Sequence, residues 1–357
     1  MGRCFSLLIL LALLLPRHVF SQNGAQKSNI VIGLLVPDSS ARWAILAARQ
    51  SVEKANKLGG YQNREFELVI RSTEGLWGTG SKESVAMVYD DQAVAIIGSL
   101  DGRNAHLAEQ VAAKSHLAYI ECYATEPTLT QAYVPWFFRV VPNDNQQAEA
   151  ILEIILENGG GKTGILSNDS YDTQYMVSSF NKAGRRELGS DPELIQLNSS
   201  SFDHHKVIEQ IHTQGIKHLV LPYDLKNEVG FLNSLEEALP SLHLYGTLHF
   251  TMGASGRHRI LDSFEGMYLV SAGPVWLGSE PLFGRDRGAF VSDGMNLVIQ
   301  AISKVGTNRE DIKNYLMDTE IHEGLTGPVR FDKLGNRQGQ PVLVRIKNGK
   351  REIRYIK

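Results

Sequence analysis

"AIIGSLDGRNAHLAEQVA", Ala95 to Ala112, decides how the rest of the chain is read. A short apolar run passes through a loop holding Gly98, Asp101 and Gly102 into a stretch whose apolar residues recur at helical spacing. A loop between the carboxyl end of a strand and the amino end of a helix is where open α/β sheets place their ligands. Loops of this kind also serve only to turn the chain, so the flanking sequence has to decide.

Upstream, "NIVIGLLVP" from Asn29 reads as a buried strand. "WAILAARQSVEKANKLGG" from Trp43 sets Ile45, Ala48, Val52 and Ala55 on one helical face and ends on a glycine pair. "EFELVIRS" as strand and "SKESVAMVYDD" as helix follow, and "LAYIECYA" after the opening stretch is a further strand. This βαβαβα order predicts a parallel sheet covered on both faces.

The pattern restarts after "FFRVVPNDN". Helix and strand alternate through "NQQAEAILEIILENGG", "KTGILSND", "TQYMVSSFNKAGRRELG", "ELIQLNS", "HKVIEQIHTQG", "KHLVLPYD", "KNEVGFLNSLEEALP" and "HLYGTLHF". Two successive doubly wound units of similar size imply a duplicated architecture with a cleft between them. The last third adds "GMYLVSAGP", helices in "GAFVSDGMNLVIQAISKVG" and "NREDIKNYLMDT", and a tail expected to form a β-hairpin-like piece turning at Gly335-Asn336.

The chain's 357 residues suggest two domains, and 43% hydrophobic with 21% charged residues is the composition of an ordinary globular protein. Residues 1–21 stand apart: Arg3, an apolar run from Phe5 to Leu15, Pro16 and Val19-Phe20-Ser21 read as a cleaved secretory signal peptide, too short in its apolar run to span a bilayer. Cys4 precedes that run, so no lipid anchor is expected, and Cys122 is left as a lone packed thiol. The expected location is the periplasm or the extracellular space. Removing Arg3 and Arg17 takes the net charge from -3 to -5, which gives no reason to expect nucleic acid as a partner.

Catalytic patterns are missing. "GGGKT", Gly159 to Thr163, has Leu156 where a phosphate loop needs its first glycine, and it follows a helix instead of a strand, so it is read as a helix terminus. His204, His205 and His212 lack a carboxylate or cysteine at ligand spacing and are read as a solvated helix start, with no metal and no cofactor expected. "NDS" at Asn168 and "NSS" at Asn198 match glycosylation sequons. No positioned nucleophile, base or metal set is found, and an enzyme is not expected.

Four phrases in order carry a family resemblance: "SVEKANKLGGYQNREFELVI", "VAIIGSLDGRNAHLAEQVAAKSHLAYIECYATEPTLT", "FFRVVPNDNQQAEAI" and "HEGLTGPVRFDKLGNR". Together they resemble the type I periplasmic binding proteins, in the branched-chain amino-acid and amide branch of ABC-importer solute receptors. The Gly-Pro-Val-x-Phe-Asp-x-x-Gly-Asn element, Gly327 to Asn336, is the most specific. The resemblance implies two Rossmann-like α/β lobes joined by three crossovers, near Val140 to Asn143, Val270 to Pro274 and Thr326 to Phe331. It implies an amino lobe of 29–141 plus 274–326 and a carboxy lobe of 142–273 plus 327–357. A small polar ligand such as an amino acid or amide would close the lobes, and the partner would be an importer's membrane permease or a membrane sensor.

The cleft implied by the resemblance draws on Trp43, Trp77, Asp101, Gly102, Arg103, Asn104, Tyr123, Ala124 and Thr125 from the amino lobe, with Tyr171, Asp224 and His249 facing them. Asn104 is also expected to cap the helix behind the loop. Gly102 stands where amino-acid binders of this family carry a carboxylate-binding serine, whereas Thr125 matches the second polar contact. The carboxy-lobe acid of the family falls near Leu248, with Asp224 close by in sequence as a substitute. These departures argue against a free α-amino acid as the assumed ligand.

Overall fold

The computed structural model describes residues 28–98, 100–197, 203–225, 229–253, 264–273, 276–277, 280–281, 286–318 and 321–354. The stretch read as a signal peptide, the sequon at Asn198 and most of the glycine-rich segment before residue 286 lie outside them. Five parallel strands build the first sheet: β1 (Ile30–Val36), β2 (Phe66–Ser72), β3 (Ala95–Gly98), β4 (Ala118–Glu121) and β5 (Phe137–Arg139), in the order β2-β1-β3-β4-β5. The central strands are buried along their length, as a sheet with helices on both faces requires. Helices α1 (Arg42–Lys57), α2 (Thr79–Tyr89) and α3 (Gly102–Ser115) connect them. In α1 the small residues Ala44, Ala48 and Ser51 are buried, which lets a later helix pack closely against it.

Helix α4 (Asp144–Glu157) opens the second unit with a capping box in which Asn143 and Gln146 bond each other's backbone N–H. The second unit contains β6 (Thr163–Ser167), α5 (Tyr171–Glu187), β7 (Glu193–Gln196), α6 (His204–Thr213), β8 (His218–Leu221), α7 (Val229–Ala238), β9 (His243–Gly246), α8 (Leu248–Gly253) and β10 (Tyr268–Ser271). Gly159, Gly160 and Gly161 all have positive φ between α4 and β6, so "GGGKT" does terminate a helix. Asp203 caps α6, whose first residue is His204. "HLYGTLHF" is strand only as far as Gly246; Leu248 onward is the start of α8.

After the short strands β11 (Trp276–Leu277) and β12 (Glu280–Pro281), the chain returns to the first unit as α9 (Asp286–Val305) and α10 (Arg309–Asp318). Helix α9 packs along α1, where the Ser51 and Ser292 hydroxyls are 3.2 Å apart. A small hairpin, β13 (His322–Gly324) with β14 (Gly327–Val329), leads to the tail strands β15 (Val342–Lys347) and β16 (Lys350–Arg354). These complete a second sheet in the order β16-β15-β10-β9-β8-β6-β7.

One sequence expectation is corrected in the tail. The hairpin turns at Asn348-Gly349, both at positive φ, and not at Gly335-Asn336. Gly335 and Asn336 instead run beside β5: Arg139 N–H donates to the Gly335 carbonyl at 2.8 Å, and Arg337 N–H donates to the Arg139 carbonyl at 3.0 Å. A side chain at Gly335 would collide with the Phe137 carbonyl, so only glycine permits this approach.

Three chain connections meet around Arg337. Its guanidinium donates to the carbonyls of Val140, Thr326 and Pro328 and to the Thr326 hydroxyl. Asp293 of α9 anchors the same corner by accepting the N–H groups of Leu325 and Thr326 and the Thr326 hydroxyl. Gln146 of α4 joins by donating to the carbonyls of Arg337 and Gly339. The architecture is thus two α/β lobes tied by a polar hinge.

Candidate ligand-binding cleft

The loop after β4 is built around a buried carboxylate. Glu121 Oε1 accepts the N–H groups of Cys122, Tyr123 and Ala124, and Oε2 accepts the Tyr119 hydroxyl. Burial pushes the Glu121 carboxyl up, and these four bonds hold it down. Their result is a rigid loop that delivers Tyr123 to the gap between the lobes.

Tyr123 is the meeting point of the site. Its ring stacks on His249 of α8 at 4.7 Å, and the Arg287 guanidinium of α9 lies 4.2 Å over it. His249 Nε2 is 3.0 Å from the Tyr123 carbonyl. Burial raises the Tyr123 phenol; Arg287 opposes this, while Asp172, Asp224 and Asp101 add to it. Groups from both lobes therefore act on one hydroxyl.

The opening loop makes a second contact across the gap. Asp101 is the N-cap of α3, so the cap expected at Asn104 belongs to Asp101, which accepts the Asn104 N–H at 3.1 Å. Asn104 is buried and works as a clamp: its amide accepts from Gly80 N–H and donates to the Leu76 carbonyl and to Asp101. Gly102 donates its N–H to Asp172 of α5 at 3.1 Å. Burial raises the Asp172 carboxyl, His249 and this N–H lower it, and Asp101 and Glu126 raise it further.

Beside Gly102 lies Glu126, 2% exposed. Its Oε1 pairs with His106 Nε2 and accepts the Thr128 hydroxyl at 2.7 Å, with the Tyr171 hydroxyl at 3.5 Å. Oε2 has no hydrogen-bond partner. His106 Nδ1 reaches Glu109 at 3.3 Å. Thr125 is buried, its carbonyl accepting Asp144 N–H at 2.8 Å. Burial pushes the Asp144 carboxyl up to about 7, with the Thr125 hydroxyl and the Arg139 guanidinium drawing it down.

Trp77, Arg103, His106, Leu107 and Tyr171 line an open recess of about 520 Å³ at the edge of this cluster. Trp77 is 72% exposed, and the Arg103 guanidinium lies 4.9 Å over the Tyr171 ring. Trp43 lines a different space, the groove between α1 and α9 with Leu46, Gln50, Ser292 and Leu325. Ala124 contributes its backbone N–H to Glu121 and no polar side chain.

Of the residues read from the sequence, Tyr123, His249, Gly102, Arg103 and Tyr171 make direct contacts between the lobes, and Asp101 and Asp224 act electrostatically on Tyr123. Sequence reasoning missed Glu121, Glu126, His106, Asp172 and Arg287. "IECYATEP" carries two acids at a strand end, and Asp172 sits in the first turn of a helix capped by Ser170; both are signals for charge aimed at a loop.

Two α/β lobes enclosing a polar gap behind a three-strand hinge define a bilobed binding protein. Residues 29–282 match the family model described as Periplasmic binding protein, and the chain belongs to that family. Among solved structures it is similar to an ABC transporter substrate-binding protein from Desulfitobacterium hafniense in complex with Leu, at 19% identity and TM-score 0.73 over 91% of this chain and 99% of that one. It is similar too to a solute-binding protein from R. palustris in complex with benzoate, at 16% identity and TM-score 0.75, covering 91% and 95%. Glutamate receptor 3.7 of Arabidopsis thaliana is 27% identical over 194 residues, 54% of this chain and 18% of the receptor. Glutamate receptor 3.1 of Oryza sativa subsp. japonica is 24% identical over 334 residues, 74% and 34%. The chain thus spans about a fifth to a third of the length of these curated relatives.

Proposed function

We propose that the protein is an exported solute receptor that captures a small polar ligand between its lobes by hinge closure and hands it to the membrane permease of an ABC importer. It binds its ligand without transforming it. The division read from the sequence is 29–141 plus 274–326 against 142–273 plus 327–357; because residues 335–337 pair with β5 of the first sheet, we propose to move the last boundary to the crossing at 338–341. The ligand-contacting set comprises Trp77, Asp101, Gly102, Arg103, Tyr123, Thr125, Tyr171, Asp224 and His249.

The observation that carries this reading is the convergence on Tyr123 of His249 from one lobe and Arg287 from the other. A ligand that touches both sides stabilises the closed form by the contacts it makes only there. The similarity to plant glutamate receptors favours a second reading, in which the same bilobed unit signals to a membrane sensor. Mass spectrometry of small molecules released from natively purified, then denatured protein tests the shared core of both readings. A stoichiometric small molecule is the expected result, and a preparation that releases none and does not compact with any added solute in X-ray scattering overturns it.

A further inference from the structure

We propose that the groove between α1 and α9 is a second binding site, which takes a small carboxylate with an apolar body. It lies on the amino lobe alone, so the proposal goes beyond the interlobe reading of the cleft and stands without it.

The groove follows from one face of α1. Trp43, Leu46, Ala47, Gln50, Ser51 and Lys54 recur at helical spacing and line one wall. Facing them are Gly288, Ala289, Ser292 and Asn296 of α9, with Leu325 from the turn between β13 and β14. The facing positions are small, so the helices come close. A Cβ at Gly288 would stand 3.1 Å from the Trp43 carbonyl oxygen and 3.6 Å from Ala47 Cβ, and the Ser51 and Ser292 hydroxyls are 3.2 Å apart. Trp43, Leu46 and Leu325, the larger apolar side chains of the lining, bound a trough of about 200 Å³ above this floor. That exceeds the roughly 150 Å³ in which an apolar cavity takes up benzene. Leu46 and Leu325 are 43% and 39% exposed, apolar surface that an occupant would cover.

Charge decides the head group. Lys54 is the one charged residue in the lining, and it has no carboxylate within ion-pair distance among the described residues. The Arg42 guanidinium lies 5.1 Å over the Trp43 ring and adds a second positive charge at the edge of the groove. No Asp or Glu lines the trough to receive an amine. Asp293, the acid next to Ser292, is buried and spent on the N–H groups of Leu325 and Thr326. In the Ser51 and Ser292 pair one hydroxyl donates to the other, which leaves one proton for an acceptor, and Gln50 and Asn296 add side-chain amides. The lining is also ordered by polarity. Along α1 the apolar Trp43, Leu46 and Ala47 come before Gln50, Ser51 and Lys54, over about 16 Å of helix. Along α9, Gly288 and Ala289 come before Ser292 and Asn296 in the same direction. A molecule lying in the groove sets hydrocarbon against Trp43 and Leu46 and its carboxylate toward Lys54.

The test uses three probes with one hydrocarbon body at neutral pH: octanoate, octanol and octylamine. Each is titrated calorimetrically into the wild type, Lys54→Glu and Ala47→Phe, with folding of each variant checked by thermal melting. Lys54→Glu reverses the charge at an exposed position, and Ala47→Phe fills the trough from a half-buried one. Octanoate is expected to bind the wild type about fivefold or more tightly than octanol or octylamine, and to lose about fivefold or more in Lys54→Glu. Ala47→Phe should exclude it. Asp224→Ala, a change in the cleft, should leave octanoate binding as it is, which separates the groove from the interlobe site. Equal affinity for the three probes, preference for the amine, or binding of none overturns the proposal. An octanoate affinity unchanged within twofold in Lys54→Glu overturns the anion assignment, and one unchanged in Ala47→Phe or lost in Asp224→Ala takes the site out of the groove. A dimer in sedimentation that Ala47→Phe dissolves would put a second copy of the chain there instead and overturn the small-molecule occupant.

Discussion

Gly102 donates its backbone N–H to the Asp172 carboxylate at 3.1 Å, and this bond runs from the lobe of the five-stranded sheet to the lobe of the seven-stranded one. The absence of a side chain at 102 makes it possible, because a Cβ would stand 2.6 Å from Glu126 Oε2 and 3.0 Å from Asp172 Oδ1. In Gly102→Ala, Glu126 is held by His106 and Thr128, so the relief falls on Asp172 and the lobes part. We expect a larger radius of gyration by X-ray scattering and a stability loss of about 1–3 kcal/mol from overpacking. Unchanged scattering and unfolding would mean that the Glu126 side chain swings aside instead.

His106 ties stability to pH. Burial by itself lowers its pKa, but the bonds to Glu109 and Glu126 outweigh it and raise the value from 6.5 to about 9. The folded chain therefore holds a proton that the unfolded chain releases in that interval. This contribution is complete below about 6.5 and fades as the pH climbs through about 9, amounting to about 2–3 kcal/mol. Asp144, raised to about 7, weakens the fold in a lower window as the pH rises through its own value. Chemical unfolding between pH 7.5 and 8.5, below the range in which the buried Cys122 thiol ionises in the unfolded chain, reads the histidine: wild-type stability should fall across that range more steeply than that of His106→Gln. Parallel slopes would assign the titration to another group.

The lobes were legible because hydrophobic period and loop chemistry agreed along most of the chain. "NIVIGLLVP" became β1, and "GGGKT" became a helix end with three left-handed glycines. The hairpin turn was misjudged because Gly335-Asn336 carries turn residues yet lies against β5, a long-range pairing that no local pattern reports. The carboxylates of the cleft were illegible for a similar reason. Glu126 and Asp172 are 46 positions apart and meet only because two sheets place them on either side of Gly102. Sequence spacing reports what lies on one face of one element, and this site is made between elements.

Arg337 ties two other stretches of chain, the β5–α4 connection at Val140 and the β13–β14 hairpin at Thr326 and Pro328, through one planar group. Arg337→Lys keeps the charge but cannot reproduce the fork that reaches Val140, Thr326 and Pro328 together. We expect a loss of about 2–4 kcal/mol in urea unfolding, since buried carbonyls are left unpaired. The lobes should also sample a wider range of separations in scattering. A variant with wild-type unfolding and scattering would show that Asp293 and Gln146 suffice to set the hinge.

Thr125 lies in the loop after β4 and Asp224 in the loop after β8, one on each lobe, and we propose that each meets the ligand through a different kind of bond. Thr125 is a neutral hydroxyl buried beside Asp144; Asp224 is a half-buried acid whose field reaches Tyr123. If the ligand bridges the lobes, Thr125→Ala and Asp224→Ala each remove one hydrogen bond and each weaken binding by about 1–3 kcal/mol, with the charged partner at the upper end. Because the two residues lie on separate lobes, their effects on a rigid closed complex should sum in the double variant. Calorimetry with the molecule released from the native protein reads all three affinities. A double variant no weaker than the worse single would mean that losing either contact already prevents closure. Unchanged affinity in both single variants would reject this cleft as the site.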